Sequence, residues 1–101
     1  MQTSSTMPFL ERDIERHLVR RTIEHGGVAY KWVSPGHVGV ADRIVCLPGG
    51  VVWFVELKTA TGRLSPLQKV FAADMRRMGM QYIVIRSKEE VDQWMLNQND
   101  Q

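Results

Sequence analysis

The sequence predicts one α/β domain whose elements follow the order α-β-β-β-α-β-α. An amphipathic helical pattern covers residues 9–25, and two β-rich runs flank the turn-forming Pro48-Gly49-Gly50. A helix that starts at a proline then separates these runs from a further short apolar strand, which is typical of α/β connections. Because 101 residues provide one hydrophobic core, we expect one mixed sheet flanked by helices.

The first helix carries two carboxylates where apolar side chains are expected. At 100° per residue its broad apolar arc is made by Leu10, Ile14, Leu18, Val19 and Ile23. Glu11 and Glu15 project near the middle of that arc, one turn apart. Either they point into a site against which the helix packs, or they lie at the margin of the helix and reach solvent.

The remaining elements follow from turn and capping signals. The first half of the chain reads as a strand at 27–33, a glycine-bearing loop at 34–41, strands at 42–47 and 51–58, and a loop at 59–64. Ser65-Pro66 then starts a helix whose predicted buried stripe is Leu67, Val70, Phe71, Met75 and Met78. A strand at 81–86 and a last helix, begun by the Ser87–Glu90 capping box, complete the domain.

Composition and charge limit the function classes. The folded domain is expected at 9–96, with residues 1–8 and 97–101 as disordered tails. We find no secretory signal and no apolar run of the length that a membrane span needs, and the single cysteine, Cys46, has no internal partner; a cytoplasmic location is expected. The net charge of only +2 means that a phosphate-binding protein would have to concentrate its cations on one face.

The hairpin register brings two carboxylates together. If Pro48-Gly49-Gly50 is a three-residue loop, Asp42 lies directly opposite Glu56, and Lys58 projects from the same face. Two carboxylates and an ammonium at the end of a sheet suit a hard divalent ion. The alternative is a salt bridge at the sheet edge, and a loop of two or four residues would move Glu56 to the other face and abolish the site.

Three ordered motifs carry a family resemblance. Gly39-Val-Ala-Asp42-Arg is followed by Pro48-Gly-Gly-Val-Val-Trp-Phe-Val-Glu56-Leu-Lys58, and then by Leu64-Ser-Pro-Leu-Gln68. From Glu11 to about Trp94 the chain resembles a VRR-NUC domain, a branch of the PD-(D/E)XK nucleases found in phages, bacteria and repair nucleases. One departure is Ala41, where the family usually has a proline that supplies no ligand.

The resemblance implies a restriction-endonuclease-like αβββαβ core and a metal-dependent active site. Asp42, Glu56 and the backbone carbonyl of Leu57 would bind Mg²⁺ or Mn²⁺, and Lys58 would serve catalysis. The family's helix acid would be Glu11, with Glu15 as its rival, and Gln68 would lie beside the site.

Contacts to DNA are expected around the loop before Asp42. Ser34, Gly36 and His37 lie on that loop, where glycines let backbone amides approach a phosphate, although an ordinary connection is the alternative. Lys31, Arg43 and Arg63 are the cations expected nearest to the site.

These features favour a metal-dependent, structure-selective DNA endonuclease. The resemblance points to a homodimeric Holliday-junction resolvase of a bacterium or phage, acting on branched DNA in recombination or repair. The alternatives are a nuclease that processes flaps or ends, and a DNA-binding module that keeps the fold without catalysis.

Overall fold

A computed structural model describes residues 10–98 of the chain. The elements are α1 (Glu11–Glu24), β1 (Val28–Lys31), β2 (Arg43–Leu47), β3 (Val51–Leu57), α2 (Pro66–Arg77), β4 (Tyr82–Ile85) and α3 (Lys88–Gln98). The element order is the predicted one. The sequence-based start of the first helix at Phe9 and the predicted tail at 1–8 lie outside the described residues, and β1 is shorter than the predicted strand at 27–33.

The four strands form one mixed sheet in the order β1-β2-β3-β4. β1, β2 and β3 are antiparallel neighbours, and β4 runs parallel to β3 after the α2 crossover. This confirms the predicted α/β class with a mixed sheet flanked by helices.

Side chains alternate between two cores, one on each face of the sheet. On one face, α1 and α3 cover a core that contains Val45, Leu47, Val55 and Leu57. On the other face, α2 covers a smaller, aromatic core in which Trp32, Phe54, Phe71 and Tyr82 make ring contacts. The sheet is therefore the middle of three layers, and residues next to each other in a strand face different helices.

The hairpin has the predicted register. Leu47 pairs with Val51 and Ile44 pairs with Phe54, as a three-residue loop requires. Gly49 and Gly50 have φ values of 90° and 77°, which a side chain disfavours. This register sends Glu56 to the same face as Phe54, toward α2.

Several helix positions expected in the core are exposed. Ile23 of α1 is 62% exposed, and on α2 Leu67, Val70 and Met78 are 51%, 54% and 52% exposed, so only Phe71 and Ala72 are fully buried there. A four-stranded sheet buries only part of the apolar arc of a helix that packs on it, so apolar residues at the edges of that arc stay exposed. The predicted buried stripe of α2 was therefore wrong at its edges.

The C-terminal boundary also differs from the expectation. α3 continues through Gln98, so Asn97 and Gln98 are helical although the sequence places them in a tail. Gln98 accepts a hydrogen bond from Trp53 Nε1 at 3.2 Å and donates one to the carbonyl of Trp94 at 3.1 Å, which holds the last turn against the sheet. Residues 99–101 lie outside the described residues. Within residues 10–98, no helix has the length and apolar character needed to cross a membrane.

Candidate active site

Asp42 and Glu56 meet where β2 begins and β3 ends. Asp42 directly precedes β2, and its Oδ2 accepts a hydrogen bond from the backbone N–H of Leu57 at 2.8 Å. This bond attaches the Asp42 carboxylate to the neighbouring strand. The register condition for the site is thus met, and the charge of Asp42 acts on the Glu56 carboxyl.

Glu56 is a buried carboxyl group, only 2% exposed. Its Oε2 accepts a hydrogen bond from Gln68 Nε2 at 3.2 Å and lies 3.8 Å from Lys58 Nζ. Burial, followed by the charge of Asp42, raises the pKa of Glu56 to about 8, although Lys58 acts in the opposite direction. In the metal-free protein, burial and the charge of Asp42 thus favour the protonated form of this group.

Gln68 has two structural roles at once. It belongs to a capping box at the start of α2, where its Oε1 accepts from the Ser65 N–H at 2.8 Å and its own N–H donates to Ser65 Oγ at 3.1 Å. Its Nε2 is left to reach Glu56. The capping geometry therefore places the Gln68 side-chain amide beside the buried Glu56 carboxyl. This is the position expected for Gln68 from the sequence.

Glu11 and Glu15 have different surroundings. Glu11, the first residue of α1, is exposed, and its pKa is raised by partial burial and by the nearby charge of Asp42, while Lys58 lowers it. Glu15 Oε2 instead accepts hydrogen bonds from Lys31 Nζ at 3.0 Å and Arg43 Nε at 2.8 Å. Burial would raise the pKa of Glu15, but these two bonds outweigh it and leave that pKa lowered.

The position of α1 explains this difference. α1 packs on the sheet face opposite to that of Glu56, so its acids do not project directly into the site as its apolar arc suggested. Glu11 comes close to Asp42 only because it lies at the helix terminus, near the end of the strands. Between the two alternatives left by the sequence, the geometry favours Glu11.

The donor set matches a divalent ion only in part. Within residues 10–98, no three His, Cys, Asp or Glu side chains converge closely enough to hold a metal. Two carboxylates, Asp42 and Glu56, do converge, and the repulsion between them would be relieved by a cation. Hard ions of the Mg²⁺ type are often bound through one or two carboxylates and keep several waters, so this pair fits such an ion.

Comparisons with known proteins place this geometry in a family. No family model matches the chain. It is 44% identical over 79 residues to a protein described as "Putative nuclease p44" of Acyrthosiphon pisum secondary endosymbiont phage 1, covering 78% of this chain and 85% of that one. A solved structure described as "VRR_NUC domain" superposes with a TM-score of 0.79 at 31% identity, covering 82% of this chain and 90% of the other.

The chain belongs to the VRR-NUC nuclease family. The family resemblance and the fold expected from the sequence are thereby confirmed.

The expected DNA contacts of this VRR-NUC domain fall into two groups. Ser34, Gly36 and His37 lie on the loop between β1 and β2, and a side chain at Gly39 of that loop would meet the Leu67 carbonyl at 2.6 Å. Because Leu67 is the neighbour of Gln68, this close approach holds the loop beside the site. Arg63 is exposed in the loop after β3.

Lys31 and Arg43, the other expected contacts, are both engaged by Glu15. Arg43 is only 19% exposed and also donates to the carbonyl of Ala29 at 2.9 Å. Arg43 therefore links α1, β1 and β2 through these two contacts. Lys31 keeps 57% of its side chain exposed. DNA contact by either residue stays a prediction.

Two residues near the VRR-NUC site were missed by sequence reasoning. Tyr82 projects from β4 on the side of Glu56, and burial, followed by the charge of Glu56, raises its pKa to about 12. Arg86 donates from Nη1 to the carbonyls of Thr59 and Gly62, which shapes the loop after Lys58. The parallel pairing of β3 with β4 brings Tyr82 and Arg86 close to the site. No local sequence pattern indicates this pairing.

Proposed function

We propose that this VRR-NUC domain is a Mg²⁺- or Mn²⁺-dependent DNA endonuclease with its active site at Asp42, Glu56 and Lys58. The observation that carries the proposal is the nearly inaccessible Glu56 carboxyl beside a second carboxylate. Folding gains nothing from placing two acids together in a low-dielectric environment. Such a pair is explained by a ligand that carries positive charge.

Asp42 and Glu56 would hold the metal, and the backbone carbonyl of Leu57 is the proposed third ligand. When bound, such an ion polarises a phosphodiester oxygen and makes a water more acidic. The Leu57 N–H fixes the orientation of the Asp42 carboxylate, and Gln68 fixes that of Glu56. Both carboxylates are thus oriented before a ligand arrives.

Lys58 supplies a fixed positive charge at the same place. Its side chain is only 16% exposed, and its Nζ lies 3.8 Å from Glu56 Oε2. An ammonium held there can balance charge that develops on the phosphate and can orient the attacking water. Glu11, near Asp42 and Lys58, is the acid proposed to assist from α1.

We further propose that the DNA substrate is branched and that two copies act together, as a Holliday-junction resolvase does. A domain this small has little surface for a branched substrate. Support for self-association comes from the exposed apolar side chains Leu67 and Val70 on α2, which solvent alone does not favour. A C₂ dimer would present two active sites to two strands.

The cleavage test uses labelled four-way junctions, flaps, forks and linear duplexes with Mg²⁺ or Mn²⁺. Asp42→Ala should lower the rate at least about 100-fold, since even groups that only support a metal ligand cost roughly 10–100-fold. Asp74→Ala, which removes a surface partner of Arg77, is the matched control and should cut like the parent. Absence of metal-dependent cutting on every substrate would refute the enzyme proposal and favour a DNA-binding module.

Oligomeric state is tested separately by light scattering. Val70→Glu should lower the mass to that of a monomer if α2 forms the interface. Preferential cutting of flaps or ends by a monomeric parent protein would contradict the resolvase proposal while leaving the nuclease proposal intact.

A further inference from the structure

Three arginines form an inclined row along the exposed side of α1. Arg12, Arg16 and Arg20 are all exposed and follow each other at intervals of four residues. Each interval advances about 6 Å along the helix axis and about 40° around it, so the row extends roughly 12 Å. The advance per step is comparable to the spacing of neighbouring phosphates along one nucleic-acid strand.

Grooves run along both sides of this arginine row. On one side, Asp13, His17 and Lys88 join Arg16 and Arg20 around a groove of about 270 Å³. On the other side, a groove of about 530 Å³ is lined by all three arginines together with Glu15, Val19, Ile23 and Arg43. The row and its grooves thus combine five cations from three elements with two carboxylates, in a chain whose net charge is only +2.

The carboxylates near the row are already engaged by other groups. Asp13 accepts a hydrogen bond from the backbone N–H of Leu10 at 3.2 Å, and Glu15 is bound by Lys31 and Arg43. Among residues 10–98, neither Arg12 nor Arg16 has an ion-pair partner.

Arg20 is the partly engaged member of the row. Its guanidinium lies 2.9 Å from His17 Nδ1 and 4.0 Å from Glu24, so it is oriented while its side chain stays 64% exposed. It can therefore still meet a ligand at the far end of the row.

The row is unfavourable for the helix that carries it. Like charges four residues apart repel each other along a helix surface, and the row contains two such pairs. Arg12 lies in the first turn, where the helix dipole disfavours a cation. The next position along the same row is Glu24, which lies 4.0 Å from Arg20, so the repulsion falls mainly on Arg12 and Arg16.

We propose that the arginine row is a phosphate-binding track for a DNA strand outside the active site. The guanidinium group is planar and pairs with phosphate through two parallel hydrogen bonds, which suits a repeating anionic backbone. The row begins at Arg12, directly after Glu11, whose carboxyl interacts with Asp42 and Lys58. A strand leaving the active site over the start of α1 would therefore continue onto the row.

The choice of DNA as the polyanion rests on the proposed function, whereas the phosphate-binding track is inferred from the exposure and spacing of the three arginines. The track would hold an arm of the substrate through its backbone, without reading the base sequence. Its contribution should consequently depend strongly on salt.

The test compares two double variants with the same charge change. Arg12→Ala/Arg16→Ala removes two members of the row, and Lys69→Ala/Arg77→Ala removes two exposed cations of α2 as the control. Binding to fluorescent duplex and four-way junction DNA is measured by anisotropy in EDTA, between 50 and 200 mM KCl. Both variants should keep the parent Tm, because all four side chains are exposed.

The expected result is a change in the salt dependence as well as in affinity. Losing two phosphate contacts should reduce the slope of log affinity against log salt by about 1.8 and weaken binding about tenfold or more. The α2 control should keep the parent slope. Equal slopes for both variants, or no DNA binding by the parent protein, would overturn the track.

Cleavage assays separate this inference from the proposed function. If the parent protein never cuts DNA but Arg12→Ala/Arg16→Ala has a smaller salt slope than the parent, the track is supported and the nuclease proposal is refuted. Metal-dependent cutting by the parent together with equal salt slopes for the parent and Arg12→Ala/Arg16→Ala would support the nuclease proposal and refute the track.

Discussion

Glu56→Gln should make the metal-free protein more stable at alkaline pH while it removes activity. The variant keeps the shape and polarity of the side chain and cannot ionise. Burial and Asp42 raise the pKa of Glu56 from its ordinary 4.5 to about 8 in the folded protein. The folded state therefore binds the proton more tightly than the unfolded state, and stability must fall as pH rises from about 4.5 to about 8.

The size of this effect follows from the two pKa values. The full difference corresponds to ~5 kcal/mol of unfolding free energy at pH 8.5. Relaxation of the protein around the buried charge lowers the cost of ionising Glu56, so we expect ~2–3 kcal/mol in practice. Below pH 4.5 the carboxyl is neutral in both states, and parent and variant should unfold at nearly the same denaturant concentration.

Urea denaturation in EDTA at pH 4.5, 7 and 8.5 measures the prediction. The informative quantity is the difference between parent and Glu56→Gln, since groups distant from Glu56 titrate equally in both. Glu89→Gln, at an exposed position of α3, is the control and should stay within ~0.5 kcal/mol of the parent. If the parent and Glu56→Gln lose stability in parallel as pH rises, the reasoning about the buried carboxyl is wrong.

Three further predictions concern the surroundings of the site. Glu11→Gln should slow cleavage at least about tenfold with little change in Tm. Glu15→Gln should instead lower the free energy of unfolding in urea by ~1–2 kcal/mol, because Arg43 loses its charged partner. The reverse pattern would exchange the roles of the two glutamates. Gly39→Ala, with φ of 97° and a clash with Leu67, should destabilise by ~2 kcal/mol or more, while Gly36→Ala should not. Ser65→Ala should cost ~1 kcal/mol by denaturation, and equal stability would argue against the cap.

Local signals account for most of the fold that the sequence predicts. The Pro48-Gly49-Gly50 loop determines the hairpin register, and Ser65 with Pro66 determines the start of α2. Because strand side chains alternate, the register alone places Asp42 and Glu56 on one face. The acidic pair was therefore predictable from residues close in sequence.

Tertiary packing decides what the sequence left open. Helical periodicity shows that α1 has a buried side, but it cannot show which face of the sheet that side covers. The ion pairs of Glu15 join residues 16 and 28 positions apart, and no local pattern specifies them. The same limit applies to Tyr82 and to Gln98, whose positions depend on neighbours distant in sequence.

Two arrangements in this domain are unfavourable for folding in the absence of a ligand. The buried Glu56 carboxyl lies beside Asp42 where β2 begins and β3 ends, and a row of like-charged arginines starts nearby on α1. The large core between α1, α3 and the sheet has no need of either arrangement. A divalent cation would neutralise the acids, and phosphates would neutralise the arginines. A nucleic-acid backbone with its bound metal would supply both charges together, and this joint requirement connects the proposed active site with the proposed track.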